Sequence, residues 1–317
     1  MQLQTELAPR HKSGLQLKNP VMTAAGTFGY GTEYAKIAEI QRLGAIICKG
    51  TTLHARSDNA QPRTLETASG MLSAPGLQNP GIRTVVGRFA PMWSKWQTPV
   101  IVNIAGDTIE EFVEVAEYLE GRDGVAGIEI NIASLSVRGE TVFGSSPQIV
   151  ADITSAVRSA TTQPLIVKLS PNTGDVRPIA IAAASSGADA ISLINTISGM
   201  KIDLATRRPA FGNTVAGLSG PAIKPIALHI VYEVAAELRV SHPHVPIIGI
   251  GGISTTGNAL EFLMAGATAI QVGTINFVNP HAGVDIIEGI EAFLRQEGVK
   301  DVKDIIGVAL GKCPTKS

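Results

Sequence analysis

Eight short apolar runs, at residues 20–26, 45–50, 100–105, 127–131, 165–170, 190–195, 246–252 and 269–274, punctuate the chain. A strand covered on both faces reads as an unbroken Val/Ile/Leu run, and helical stretches between such strands favour a parallel sheet. Helical spacing is predicted over 33–43, 110–119, 147–160, 176–186, 221–238 and 258–265, with 281–296 and 302–309 at the C-terminal side. Asp107 or Thr108 is placed to cap the second of these helices, and Thr255 or Thr256 the sixth. Eight strand–helix units point to an α/β fold, a (β/α)8 TIM barrel, with residues 1–317 as one domain. Such a barrel carries its chemistry at the C-terminal ends of the strands. Here those ends hold Lys49, Asn103, Asn131, Lys168, Asn195 and Thr274.

Three connections are longer than a barrel requires: 51–96, 132–146 and 198–219. All leave C-terminal strand ends, so they are expected to cover one mouth, and long loops on a rigid scaffold tend to carry function. Net charge is -1 and the pI near 6.6, which gives no electrostatic reason to expect nucleic acid or an anionic membrane. Cys48 and Cys313 are the only cysteines. That leaves no disulfide framework and no metal or iron–sulfur site within the chain, and it fits a reducing compartment. The first residues, MQLQTELAPRHKSG, lack the apolar core of a signal peptide, and no run reaches the ~18 apolar residues of a membrane span. A cytoplasmic location is expected.

The last two strands end in Gly249-Ile-Gly251-Gly252 and Gln271-Val-Gly273-Thr274. Loops after strands seven and eight of a barrel often hold a phosphate on backbone N–H groups, and glycine lets the backbone approach the anion closely. Tight turns without a ligand would need glycine too, but two glycine-bearing ends on neighbouring strands favour the phosphate. The spacing is not G-x-G-x-x-G, so a dinucleotide fold is not expected. Lys49 and Lys168 end apolar strands, where a lysine forms a Schiff base, offsets an anion or snorkels to water. With asparagines ending three further strands, the set reads as a polar ring around a planar, amide-rich or anionic ligand.

Taken in order, NPVMTAAGTFG (19–29), CKGTT (48–52), GLQNPG (76–81), VNIAG (102–106), EINI (129–132), VKLSPN (167–172), SLINT (192–196), LSGPAIKP (218–225) and QVGT (271–274) resemble the class 1B dihydroorotate dehydrogenases. The resemblance runs from about residue 15 to 280. It implies an FMN-binding barrel that oxidises dihydroorotate to orotate in pyrimidine biosynthesis. It also implies a homodimer and a second subunit, carrying FAD and an iron–sulfur cluster, that passes electrons to NAD. Flavin contacts carried over from the family fall on Ala25, Gly26, Lys49, Gly50, Asn103, Asn131, Lys168, Ile194, Gly220, Gly251, Gly252, Gly273 and Thr274, with Ala25 where the family usually has serine. Lys168 would lie at the N1–O2 edge of the ring, where a cation stabilises the reduced, anionic flavin. Substrate contacts would be Lys49, Ser73, Gly76, Leu77, Asn131, Ser136, Asn195 and Thr196.

The substrate side departs from the family pattern. The family's catalytic loop reads Asn-Ile-Ser-Cys-Pro-Asn, whereas this chain has Asn131-Ile-Ala-Ser134-Leu-Ser136. Ser134 thus stands for the cysteine that removes a proton, and Ser136 for an asparagine that grips the pyrimidine. Ser73 replaces a second asparagine. A thiol has a pKa of about 8.5, while serine is a far weaker acid and needs a neighbouring base or water chain. Each buried substrate group left unpaired costs roughly 1–3 kcal/mol. Two rival readings follow: a relative with the same flavin chemistry on a different dihydropyrimidine or unsaturated cyclic substrate, or a flavin-binding protein without dihydroorotate turnover. A third, a Schiff-base aldolase using Lys49 or Lys168, leaves the flavin pattern unexplained.

Overall fold

Alternation inside each apolar run decides which layer a side chain joins. The computed structural model describes residues 1–132 and 143–311, and its main sheet has eight parallel strands. They are β1 (Val21–Thr23), β2 (Ile46–Ile47), β3 (Val100–Ile104), β4 (Gly127–Asn131), β5 (Leu165–Lys168), β6 (Ala190–Leu193), β7 (Ile247–Ile250) and β8 (Ala269–Val272). Each pairs with its neighbour in sequence, and β8 pairs with β1. The remaining seam, β1 to β2, closes through a Met22–Ala45 bridge. There the Thr23 hydroxyl takes the place of a backbone group: Ile47 N–H donates to it at 3.0 Å. The expected (β/α)8 TIM barrel is the fold observed.

Val100, Val102, Ile128, Ile130, Val167, Ile191 and Leu193 point outwards into one apolar layer shared with the helices. Their neighbours Ile101, Ile166, Ala190, Ile248 and Ala269 form a second layer inside the barrel. Leu7, Leu15 and Leu17 belong to that inner layer. They come from the N-terminal hairpin of Thr5–Glu6 and Gln16–Leu17, which therefore plugs the N-terminal face. Chemistry is left to the opposite face.

Besides a helical run over 82–93 with a π-helical middle, the outer helices are α1 (Ile109–Leu119), α2 (Pro147–Ala160), α3 (Arg177–Ser185), α4 (Lys224–Ser241), α5 (Thr256–Met264) and α6 (Ala282–Gln296). Thr108 and Thr255 are the caps of α1 and α5, accepting from Glu111 N–H and Asn258 N–H. Two expected helices are not continuous. Over 33–43 only the 3-10 turn Ile40–Arg42 forms. The Glu33 carboxylate accepts from Tyr30 N–H and the Thr32 hydroxyl, which closes a turn, and Glu39 leaves helical geometry at ψ 61°. Over 302–309 the run splits into the 3-10 turns Val302–Ile305 and Val308–Leu310, because Gly307 adopts φ +73° between them.

The long connections after β2 and β6 are not bare loops. Thr64–Thr67, Gly70–Ser73, Ala216–Ser219 and Ile197–Gly199 pair as an antiparallel four-stranded sheet. Leu72, Phe211 and Ala216 give it a small core of its own.

Candidate active site

Residues at the C-terminal strand ends converge in two tiers. The deeper tier is buried: Asn103 on β3, Glu129 on β4, Lys168 on β5, Ser192 on β6 and Gln271 on β8. Cross-strand register sets Asn103 beside Glu129 and Lys168 beside Ser192. Burial of these groups demands partners, and Glu129 supplies them. Asn103 Nδ2 donates to it at 2.7 Å, Ser192 Oγ at 2.9 Å and Gln271 Nε2 at 2.7 Å, with Lys168 Nζ 3.9 Å away. Among the described residues Asn103 Oδ1 has no hydrogen-bond partner. It faces Gly50, where any Cβ would come within 3.1 Å of it and 3.4 Å of Leu77. Glycine at 50 therefore keeps a side chain from crowding that buried oxygen.

The upper tier is half-buried. Asn195 Nδ2 donates to Asn131 Oδ1 at 3.2 Å, and Thr196 N–H donates to Asn195 Oδ1 at 2.8 Å. The Thr196 side chain lies against Gly217, where an added Cβ would fall 2.3 Å from its hydroxyl. Gly217 is in register with Ser73, so the two long connections bring Ser73 and Thr196 to one edge. Lys49 Nζ donates to Gln78 Oε1 at 3.0 Å. Burial lowers the Lys49 pKa below the ordinary 10.5; Glu33 opposes the shift and Arg63 adds to it. Cys48, next to it, is sealed in the core, and burial pushes its thiol up to about 12. That thiol is no base at neutral pH.

The remaining rim is built of glycines. Gly220 has φ +91°, Gly251 φ +130° and Gly252 φ +69°, values that other residues rarely adopt. A Cβ on Gly252 would sit 2.9 Å from Gly220 O, and one on Gly251 3.5 Å from Ile194. Thr274 Oγ1 donates to Ser219 Oγ at 2.9 Å, and Thr274 lies beside Gly220. Gly273 neighbours Ala24, next to Ala25, while Gly26 faces open space at φ +89°. The arrangement can cradle an anion on N–H groups beside β7 and β8 and a flat polar ring over the deeper tier.

The sequence-predicted residues located above lie on this face, and Gly76 sits on the connection after β2 with its Cα side facing Asn59; Ser134 and Ser136 fall outside the described residues. Sequence reading missed Glu129, Ser192, Gln271, Gln78 and Ser219. For the first three a signal exists: single polar residues at inward positions of strands that are otherwise apolar. Among the described residues no helix is long and apolar enough to cross a membrane, and no group of three metal-ligating side chains occurs.

A family model described as dihydroorotate dehydrogenase matches residues 9–294. The chain is 51% identical over 296 residues to the dihydroorotate dehydrogenase B (NAD(+)) catalytic subunit of Geotalea daltonii, covering 93% of this chain and 95% of the relative. Proteins of the same name from Thermoanaerobacter pseudethanolicus and Porphyromonas gingivalis are 49% and 50% identical, over 97% and 93% of this chain and 98% and 94% of theirs.

Proposed function

The chain belongs to the dihydroorotate dehydrogenase family, and from that premise we propose that it is the catalytic subunit of a class 1B enzyme, oxidising dihydroorotate to orotate with FMN. One observation carries the reading of the site: a buried cation, a buried amide oxygen unpaired among the described residues and a glycine rim meet on one face of the barrel. The chemistry of these groups fits FMN. Asn103 Oδ1 needs an N–H donor, Lys168 offers a cation to an electron-rich ring edge, and backbone N–H groups at Gly251, Gly252, Gly273 and Thr274 suit a phosphate.

Bound FMN supplies the two-electron acceptor. Lys49 holds the substrate carboxylate, for which an ammonium is suited. Asn131 and Asn195 are already linked by a side-chain hydrogen bond, so their orientations are coupled, and a carboxamide is the group that can meet both the N–H and the C=O groups of the substrate ring. Thr196, Gly76 and Leu77 border the substrate, with Ser73 offering a hydroxyl. Ser134 takes the proton at its Oγ, a role it holds through the family's motif alone. A partner subunit belongs to the same reading, supported by the relatives' designation as catalytic subunits; the homodimer and the partner's FAD and iron–sulfur cluster rest on the family resemblance alone.

Anaerobic addition of dihydroorotate to the purified yellow protein is expected to bleach the flavin band. An FMN-loaded protein that stays yellow refutes dihydroorotate as substrate, and a protein that never takes up FMN refutes the site. Orotate affinity should depend on Lys49. Its ammonium persists below its lowered pKa and is lost as pH rises through it, so binding weakens at a pH below the ordinary lysine range. Lys49→Ala should weaken orotate roughly 10–100-fold, from about 1.5–3 kcal/mol for a charged hydrogen bond, and abolish that pH dependence. Titration of the flavin spectrum with orotate, at several pH values, measures both.

A further inference from the structure

Glu129 has no part in the roles above, yet it is fully buried at the centre of the deeper tier. An ionised carboxylate can only accept, so Asn103 and Gln271 must each turn an NH2 towards it and an oxygen away. Among the described residues Asn103 Oδ1 and Gln271 Oε1 are both buried without a hydrogen-bond partner, although a buried acceptor left unpaired costs about 1–3 kcal/mol. Two buried amide oxygens left unpaired, on side chains that share one carboxylate with a lysine, call for a ligand bearing N–H donors. Gln271 has not been among the flavin contacts so far.

Resting on the flavin reading, we propose that Glu129 is the positioning residue of the cofactor floor: it fixes the Asn103 and Gln271 amides with their oxygens towards the flavin and balances the Lys168 ammonium, thereby setting the flavin's reduction potential. Its carboxylate is a negative charge in a low-dielectric interior, where charges interact strongly. It opposes the anionic reduced ring that Lys168 favours. The protein thus holds Lys168 in check while keeping the amides from flipping.

Glu129→Gln removes the charge at nearly constant shape, and a glutamine both donates and accepts, so it no longer dictates the two amide orientations. The midpoint potential of the FMN-loaded variant is expected to rise by at least about 30 mV, equivalent to a tenfold shift in the reduced-to-oxidised ratio for a two-electron couple. FMN should also bind roughly tenfold more weakly. Ser192→Ala deletes one donor but no charge, leaves the carboxylate less neutralised, and should lower the midpoint; it decides the matter if Glu129→Gln does not fold. Anaerobic redox titrations followed by visible absorbance, with melting of the apoproteins in parallel, make the test. Loaded variants that keep the wild-type midpoint and only melt earlier reduce Glu129 to a structural group and overturn the proposal. A wild-type protein that refuses FMN overturns the flavin reading instead.

Discussion

Lys168→Met is expected to destabilise the protein by about 3–5 kcal/mol, the usual cost of removing one partner from a buried ion pair. Methionine fills much the same space, so the cost is electrostatic. Glu129 would keep its three hydrogen bonds but lose the only cation near it among the described residues. The 3.9 Å separation and those three donors place the effect at the lower end of the range. A double variant, Lys168→Met with Glu129→Gln, should recover most of the loss, because replacing both partners strands no charge. Urea unfolding of the two single variants, the double variant and the wild type closes the cycle. Additive effects would mean that the pair is not coupled, and the picture of the deeper tier would fall with it. The flavin gives a second readout, since Lys168→Met should lower the midpoint potential while Glu129→Gln raises it.

The same residues mark the boundary of what the sequence discloses. The barrel was legible because all eight strands are buried on both faces and declare themselves as apolar runs, as in Val100–Ile104. The rim was legible because Gly251 and Gly252 need backbone angles that glycine alone adopts freely. Glu129 was not singled out, because one carboxylate in a strand reads alike whether it anchors a network or marks an edge. Only the fold shows that Asn103, Ser192 and Gln271, separated from it by 26, 63 and 142 residues, all turn towards it. Pairing of Gly70–Ser73 with Ala216–Ser219 was hidden for the same reason. The two segments carry no mutual signal, and their register depends on a barrel that brings both to one mouth. Helical spacing over 33–43 misled because periodicity says nothing of a Glu33 carboxylate that turns back to cap Tyr30.

Gly252→Ala is expected to weaken FMN about 10²-fold while the barrel still folds. Two effects combine there. Alanine at φ +69° carries a left-handed penalty of roughly 1–2 kcal/mol. Its Cβ would also fall 2.8 Å from Lys224 N and 2.9 Å from Gly220 O, both backbone atoms that cannot rotate aside. The segment of Gly220 and Lys224 must then move, and with it the N–H groups offered to a phosphate. Losing one charge-assisted hydrogen bond costs about 1.5–3 kcal/mol, and 1.4 kcal/mol is a tenfold change in affinity. Gly121→Ala separates strain from displacement: Gly121 has φ +64° but nothing within 4 Å of a new Cβ, and it lies beyond α1. It should lose stability to a similar backbone penalty and leave FMN affinity untouched. Fluorescence quenching of FMN titrated with each apoprotein reads the difference. Equal affinities in the two variants would show that the glycine rim does not hold the phosphate.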